Sequence, residues 1–254
     1  MTETSRSPPF GAVDRQFSLT VGGAAAVAGA ALLTVGIGWE GKPTAVFLGG
    51  VVVVFLAATG VVRRSLRLAR AAEGPQPITV ATWVTIVRAG LVAAFAGFLF
   101  TEPPGGTAAW VPAVLFAAAA LLDAVDGAIA RRTDTVTEFG GVLDTEVDAL
   151  LVAVGVVTVV VAGSAPVVFL AVGGARYAFV AGTAWRQRRG RPVFELEPSQ
   201  FRRVTGAVIM STVFLGLVPA LDSALSRTVT WVVAVPVLAH FVWDWLSVSG
   251  RLGR

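Results

Sequence analysis

Long runs of apolar residues without charge alternate with short polar segments along the chain. Residues 16–39 and 149–175 contain no charged side chain. About 20 apolar residues suffice for a helix to cross a bilayer, and the runs lack the strict alternation of a membrane β-strand. Gly and Pro at residues 163–166 divide the second run. The pattern predicts an all-α integral membrane protein with about eight transmembrane helices: 16–39, 43–62, 78–100, 110–131, about 140–163, 165–185, 204–221 and 228–248.

Composition supports this class. The chain is 55% hydrophobic and 14% charged, whereas a soluble domain carries about 25% charged residues. Cysteine is absent, which excludes a thiolate metal site. We expect residues 1–16 to be a polar cytoplasmic tail, and residues 17–72 to hold two helices and a basic amphipathic segment. Residues 73–254 should form a six-helix catalytic membrane domain.

Basic residues test the topology. With the N-terminus inside, the segments predicted to be cytoplasmic hold sixteen arginines: Arg6, Arg15, Arg63, Arg64, Arg67, Arg70, Arg131, Arg132, Arg186, Arg188, Arg189, Arg191, Arg202, Arg203, Arg251 and Arg254. The outside loops hold Lys42 and Arg227, and Arg88 and Arg176 lie within spans. This bias follows the positive-inside rule. It predicts a multi-pass cell-membrane protein with cytoplasmic termini, and it explains the basic charge without nucleic-acid binding.

Four carboxylates stand where two predicted helices meet on the cytoplasmic side. Asp123 and Asp126 are three residues apart, and Asp144 and Asp148 are four apart. Each pair therefore shares a helix face. Four such anions repel unless cations bind, and all-oxygen ligands suit Mg²⁺ or Mn²⁺. The spacing predicts a site for one or two ions. A structural ion-pair network with Arg131 and Arg132 is the alternative.

Two further groups of charged residues have two interpretations each. Arg88 should face protein or a water-filled cavity, unless it snorkels to the interface. The arginines after the second span form a basic amphipathic stretch along the membrane surface, which is either a topological anchor or a phosphate contact: Arg63, Arg64, Arg67 and Arg70. Near the C-terminus, we interpret His240 as a packing residue. Asp244 is interpreted as interfacial and paired with a basic loop.

The carboxylates belong to a longer pattern, D-x2-D-G-x2-A-R-x8-G-x3-D-x3-D. Its eight fixed positions are Asp123, Asp126, Gly127, Ala130, Arg131, Gly140, Asp144 and Asp148. This pattern resembles the signature of the CDP-alcohol phosphotransferases. The resemblance implies a six-helix core over about residues 78–248, preceded by two extra helices. It also implies a reaction, in which a CDP-activated lipid gives its phosphatidyl group to the hydroxyl of an acceptor alcohol and releases CMP.

The resemblance further implies roles for individual residues. The four aspartates would hold Mg²⁺ or Mn²⁺, two ions in number, with Asp148 also a candidate catalytic base. Residues that would border CDP are Gly127, Ala130, Arg131, Gly140 and Thr85. Thr85 and Arg88 match a pattern at the start of the first core helix, in which Thr82 replaces the Asn of many members. Arg176 within the sixth helix would bind the acceptor, together with Ser199 and Arg202 at the start of the seventh.

Three functional classes are therefore compared. The leading hypothesis is a phospholipid-synthesising transferase whose partners are the CDP-lipid, the acceptor alcohol, the bilayer and a second copy in a homodimer. Glycerol phosphate, inositol phosphate, serine and a lipid alcohol all remain open as acceptors. A cation transporter would use intramembrane carboxylates, but it should bury them near the midplane on broken helices. A catalytically silent membrane subunit is the third class.

Overall fold

The computed structural model describes residues 11–38, 44–73, 78–101, 105–133, 137–196 and 200–251. Within these ranges the chain is helical and contains no strand. The described ranges contain eight α-helices: α1 Gly11–Gly38, α2 Ala45–Glu73, α3 Val80–Phe95, α4 Val111–Thr133, α5 Glu138–Val161, α6 Leu170–Arg188, α7 Gln200–Leu217 and α8 Ser223–Val248. The predicted all-α membrane class is confirmed.

In the described part of the chain, six helical segments are long and apolar enough to cross a membrane: Arg15–Thr34, Ala45–Arg67, Val80–Phe100, Gly106–Asp123, Val167–Arg188 and Ser223–Val248. Three of these segments each include a short 3-10 helix. The first, Ala96–Phe100, follows α3; the second, Gly106–Trp110, precedes α4; and the third, Val167–Phe169, precedes α6. A shorter apolar segment, Val204–Leu217, lies in α7. The first half of α5 instead carries acidic side chains, among them Asp144 and Asp148.

The basic stretch after the second span belongs to the same helix as that span. Helix α2 continues without a break through Arg63, Arg64 and Arg67 to Glu73. The predicted end of the second helix at residue 62 is therefore wrong, whereas the location of the basic stretch along the membrane surface stays a prediction. The sequence from 61 to 73 contains no Gly or Pro, and its Arg, Leu and Ala residues favour continued helix. Arg64 pairs with Glu146 of α5 across 3.5 Å.

The chain forms two compact units, which we call the N-terminal unit and the C-terminal unit. The first comprises residues 1–104 and 114–150, and the second comprises residues 105–113 and 151–254. Both α4 and α5 contribute residues to each unit. The proposed division into two extra helices and a catalytic domain beginning at residue 73 stays a prediction.

In the N-terminal unit, α1 and α2 pack against α3 and the 3-10 helix that follows it. Small residues permit the approach. A Cβ on Gly90 of α3 would lie 2.6 Å from the carbonyl oxygen of Ala24, and one on Gly50 of α2 would lie 2.4 Å from that of Ala96. Phe47 is completely buried against Phe98. The two helices that precede residue 78 thus cover the helix that carries Arg88.

In the C-terminal unit, α8 packs against α6 and α7. Gly182 of α6 lies under the ring of Trp245, since a Cβ there would be 2.6 Å from the ring. At the end of α6, buried Arg186 donates hydrogen bonds to the carbonyl oxygens of Pro192 and Ser249, each at 3.0 Å from Nη2. These bonds fasten the segment after α6 to the C-terminal end of α8.

Candidate active site

A single buried guanidinium gathers three carboxylates from two helices of the N-terminal unit. Nη1 of Arg88 lies 2.9 Å from Oδ1 of Asp123 and also binds Asp144, while Nη2 binds Asp148. Nε of Arg88 donates to the carbonyl oxygen of Ala119 at 3.1 Å. Ala119 and Asp123 are one turn apart on α4. We call Arg88, Asp123, Asp144 and Asp148 the carboxylate cluster.

The helix starts fix the register of this cluster. Thr79 caps α3 by accepting a hydrogen bond from the backbone N–H of Thr82 at 3.2 Å. Thr137 caps α5 in the same way by accepting from the N–H of Gly140 at 3.1 Å. Such caps satisfy N–H groups that have no partner within the helix. Both helices therefore begin at defined residues, which places Arg88 and the two α5 aspartates opposite each other.

Gly140 marks a close approach between α3 and α5. A Cβ at this position would lie 3.0 Å from Oγ1 of Thr137 and 3.2 Å from Oγ1 of Thr82. A larger residue would press against both hydroxyls, and the buried Thr82 has little room to move. Thr82, which stands where many members of the similar family have Asn, thus lies beside Gly140, one of the eight fixed positions of the sequence pattern.

Burial distinguishes the members of the carboxylate cluster. The Arg88 side chain is 0% exposed, whereas those of Asp123, Asp144 and Asp148 are 34%, 36% and 32% exposed. The guanidinium therefore lies at the buried bottom of the site, and the carboxylates form its accessible part. When all three carboxylates are ionised, they meet one guanidinium, which leaves an excess of two negative charges among these described side chains.

This donor set fits a hard divalent cation. One oxygen from each of the three aspartates lies within 4.8 Å of the others. Carboxylate oxygens are the ligands that Mg²⁺, Mn²⁺ and Ca²⁺ prefer, and the excess charge matches one divalent ion. The cluster could therefore hold a metal ion with the residues that are present.

The structure brings together three of the four predicted metal ligands. Asp126, Gly127, Ala130 and Arg131 lie on α4, but their side chains are outside the part of the chain that the structure describes. Their predicted roles, and the alternative network with Arg131 and Arg132, stay predictions. Thr85 is buried on α3 and donates to the carbonyl oxygen of Ala81 at 3.2 Å.

Arg88 is the site residue that sequence reasoning left unassigned. The expectation that it faces protein is confirmed, but its binding to the aspartates was not predicted. The available signal was its position within a span, where an unpaired guanidinium is costly, together with an excess of carboxylates on later helices. Spacing within one helix cannot show which helices meet.

The predicted acceptor residues belong to the C-terminal unit. Arg202, in the first turn of α7, binds Asp244 of α8 with 3.2 Å between Nη1 and Oδ1. Asp244 thus pairs with a basic residue, but that residue lies in a helix and not in the basic loop that was expected. Arg176 lies on α6 and is partly exposed. Ser199 is outside the described residues.

Comparison with known proteins gives the family. A search of the curated proteins finds no match. The model of the CDP-alcohol phosphatidyltransferase family matches residues 78–243, which is more than half of the 254 residues. The match begins after α2 and contains all four members of the carboxylate cluster. The chain therefore belongs to the CDP-alcohol phosphatidyltransferase family, the membrane transferases that move a phosphate-containing group from a CDP-alcohol in phospholipid synthesis.

Proposed function

We propose that this protein transfers a phosphatidyl-type group from a CDP-activated lipid to the hydroxyl of an acceptor alcohol and releases CMP. The observation that carries the proposal is the convergence of Asp123, Asp144 and Asp148 on Arg88, inside the region that matches the family. The acceptor oxygen forms a bond to the lipid-side phosphorus. The bond from that phosphorus to the bridging oxygen breaks, and CMP leaves with the electron pair.

The metal ligands in this proposal are Asp123, Asp126, Asp144 and Asp148, which hold two Mg²⁺ or Mn²⁺ ions. The support is the oxygen donor set and its excess negative charge. Bound divalent ions neutralise phosphate charge and stabilise the charge that develops during transfer. Arg88 keeps the three described carboxylates together, so they need not reorganise when substrate arrives.

The CDP moiety is bordered in this proposal by five residues of α3, α4 and α5: Thr85, Gly127, Ala130, Arg131 and Gly140. Glycine leaves room for close approach of a ligand, and a guanidinium matches the geometry of a diphosphate. The proposal for Gly140 is supported by its closeness to Thr82 and Thr137, because little space is left beside the backbone at the start of α5. A side chain at position 140 would narrow that end of the site.

Asp148 is the proposed catalytic base. It accepts the proton of the acceptor hydroxyl as the new oxygen–phosphorus bond forms. One of its oxygens binds Arg88, which fixes the orientation of the carboxylate, and about a third of the side chain stays accessible. A positioned carboxylate of this kind typically accelerates a reaction by about 10²–10⁴-fold.

The acceptor is bound in this proposal by Arg176, Ser199 and Arg202. Arginines suit a phosphorylated alcohol such as glycerol phosphate or inositol phosphate, because the planar guanidinium matches phosphate oxygens. Arg202 is supported as a ligand by its exposure, since its side chain is 31% accessible although it binds Asp244. Arg176 is supported by its place within a membrane-spanning segment.

The protein acts in this proposal within the cell membrane, with both termini and the active site on the cytoplasmic side. The arginine-rich segments support this orientation. It gives the carboxylate cluster access to soluble nucleotide products and phosphorylated acceptors. A second copy is the proposed protein partner, because small residues on several helices permit close helix packing.

Mass spectrometry of the lipid products tests the proposal. Purified protein is incubated with CDP-diacylglycerol, Mg²⁺ and separate acceptors: glycerol phosphate, inositol phosphate, serine and a lipid alcohol. The expected result is one new phospholipid and an equal amount of CMP with one acceptor. No CMP release with any of the four would contradict the transfer reaction, and ion uptake into vesicles would then favour the transporter.

A further inference from the structure

A second group of charged and titratable side chains lies in the C-terminal unit, and we call it the Arg202 cluster. It consists of Arg202 on α7 with His240 and Asp244, which are one turn apart near the end of α8. Nη1 of Arg202 lies 3.2 Å from Oδ1 of Asp244. Nε2 of His240 lies 3.4 Å from the other oxygen of the same carboxylate. Asp244 therefore stands between two side chains that can carry positive charge.

Arg202 and Asp244 differ in burial, and the difference indicates which of them can contact a ligand. The Asp244 side chain is 10% exposed, and that of Arg202 is 31% exposed. A carboxylate so removed from water needs a cationic partner, which makes Asp244 an internal counter-ion rather than a contact for a ligand. The guanidinium has several N–H groups in one plane. It can hold Asp244 at one edge while its accessible part meets an oxyanion.

Phe201 holds the third member in place. Its ring meets the His240 ring edge-on, with 4.6 Å between the centroids. The first turn of α7 thus supplies both the cation and the ring that orients His240. Nε2 of His240 is buried and has no hydrogen-bond partner among the described residues, and it lies 3.4 Å from Oδ2 of Asp244.

The net charge of this cluster indicates the class of ligand. Arg202 and Asp244 sum to zero, and a protonated His240 would raise the sum to +1. The group is therefore never negative, which disfavours a metal cation and favours an anion at the accessible guanidinium. The hydrogen bonds of Arg to phosphate are among the strong ones because both groups are charged.

From these contacts we propose that Asp244 is a positioning residue, which orients Arg202 toward the phosphate of a phosphorylated acceptor alcohol, with His240 supporting the same carboxylate from its other side. The inference rests on the transfer reaction proposed above. It adds Asp244 and His240, neither of which lies in the sequence pattern of the carboxylate cluster. It also commits the acceptor to a phosphate monoester.

The test is a kinetic comparison in the full-length protein, with CDP-diacylglycerol and glycerol phosphate as the probes. Asp244→Asn keeps the size of the side chain and removes its charge. We expect the KM for glycerol phosphate to rise about tenfold, the scale of one charge-assisted hydrogen bond. The KM for CDP-diacylglycerol and kcat should stay within about twofold, since only acceptor binding depends on Arg202.

A matched control lies at the other end of the same helix. Asp222 caps α8 by accepting from the N–H groups of Ala224 and Leu225, and Asn caps a helix about as well as Asp. Asp222→Asn should leave both KM values unchanged. In the double variant Arg202→Gln with Asp244→Asn, the acceptor KM should equal that of Arg202→Gln alone, because residues that act through each other are not additive.

A second variant keeps the test valid if Asp244→Asn does not fold. Arg202→Lys retains the charge near Asp244 but loses the planar fork, and we expect a higher acceptor KM at an unchanged Tm. Four results would overturn the inference: additive effects in the double variant, a lower kcat with both KM values unchanged, a higher KM for the CDP-lipid, or wild-type turnover with serine but not with phosphorylated acceptors. If the wild-type protein releases no CMP with any acceptor, the proposed function itself fails.

Discussion

The carboxylate cluster and the Arg202 cluster are built in opposite senses. In the carboxylate cluster the cation is the hidden member, with Arg88 0% exposed and the three aspartates 32–36% exposed. In the Arg202 cluster the anion is the hidden member, with Asp244 10% exposed and Arg202 31% exposed. In each, the buried charge positions an accessible charge of opposite sign.

The accessible side chains carry negative charge in one cluster and positive charge in the other, and the two proposed ligands explain this difference. In the proposed reaction a phosphatidyl-type group passes from a CDP-lipid to a phosphorylated acceptor, which calls for one place that binds metal ions and another that binds phosphate. Accessible carboxylates favour the metal, and an accessible guanidinium favours phosphate. The buried partner in each cluster reduces the cost of placing the accessible charges near a membrane core. Substitutions at the accessible and the buried members should therefore have different consequences.

The largest effect is expected for an accessible member of the carboxylate cluster. Asp148→Asn should lower CMP release by about 10²-fold or more, because an amide cannot take up the acceptor proton. The amide oxygen can still accept a hydrogen bond from Arg88, so the protein should insert and purify normally. The measurement is CMP release per purified protein, with Tm as the check on folding.

Glu146 supplies the control for that experiment. It lies on the same helix between Asp144 and Asp148, but it pairs with the exposed Arg64 of α2. Glu146→Gln makes the same chemical change outside the cluster and should alter stability by less than about 1 kcal/mol. Full turnover in Asp148→Asn would remove this residue from the mechanism. An equal loss in both variants would show that the effect is not specific to Asp148 and would contradict its role as the base.

The buried member should act chiefly on stability. Arg88→Gln leaves three carboxylates without their guanidinium and should destabilise the protein by about 3 kcal/mol in chelator. Mg²⁺ should raise the Tm of this variant more than that of the wild type, because a bound cation replaces the missing charge and binding stabilises the folded state. Thermal unfolding with Mg²⁺ and with chelator measures both effects.

Arg64→Gln is the matched control for Arg88. Arg64 is also an arginine of the N-terminal unit that pairs with an acidic residue of α5, but its side chain is 57% exposed. Its replacement should change the stability by less than about 1 kcal/mol and leave the Mg²⁺ response unchanged. The same Mg²⁺-dependent rise of Tm in Arg88→Gln and in the wild type would contradict the role of Arg88 as the counter-ion of the cluster.

The parts of these clusters that could be predicted from sequence are those that depend on one helix. The spacing of Asp144 and Asp148 places both on one face of α5, and the structure shows both bound to Arg88. The apolar runs likewise predict the helices, although the extension of α2 through Arg63 and Arg67 was missed, since basic residues were assumed to end the span. Arg88 with Asp123, and Arg202 with Asp244, are contacts between helices far apart in sequence, which periodicity does not encode.

The two helices before residue 78 make their described contacts in the unit that holds the carboxylate cluster, so a change in their packing should affect that cluster and not the Arg202 cluster. Gly50 of α2 approaches the backbone beyond α3 so closely that a Cβ would meet the carbonyl oxygen of Ala96 at 2.4 Å, whereas a Cβ on the adjacent Gly49 would meet nothing within 4 Å. Either Gly→Ala change gains up to about 1 kcal/mol of helix propensity. Only Gly50→Ala must displace a backbone, and overpacking typically costs about 1–3 kcal/mol.

We therefore expect Gly50→Ala to be less stable than Gly49→Ala, and the difference between the two isolates the contact because their propensity gain is shared. If α2 holds α3 and thereby Arg88, Gly50→Ala should also lower kcat by a few-fold while the acceptor KM, which depends on the Arg202 cluster, stays constant. Equal Tm values for the two variants would argue against the close packing of α2 on the segment after α3. A lower Tm with unchanged kcat would limit the two helices to a stabilising role, and a shift in the acceptor KM would mean that the two clusters do not respond independently.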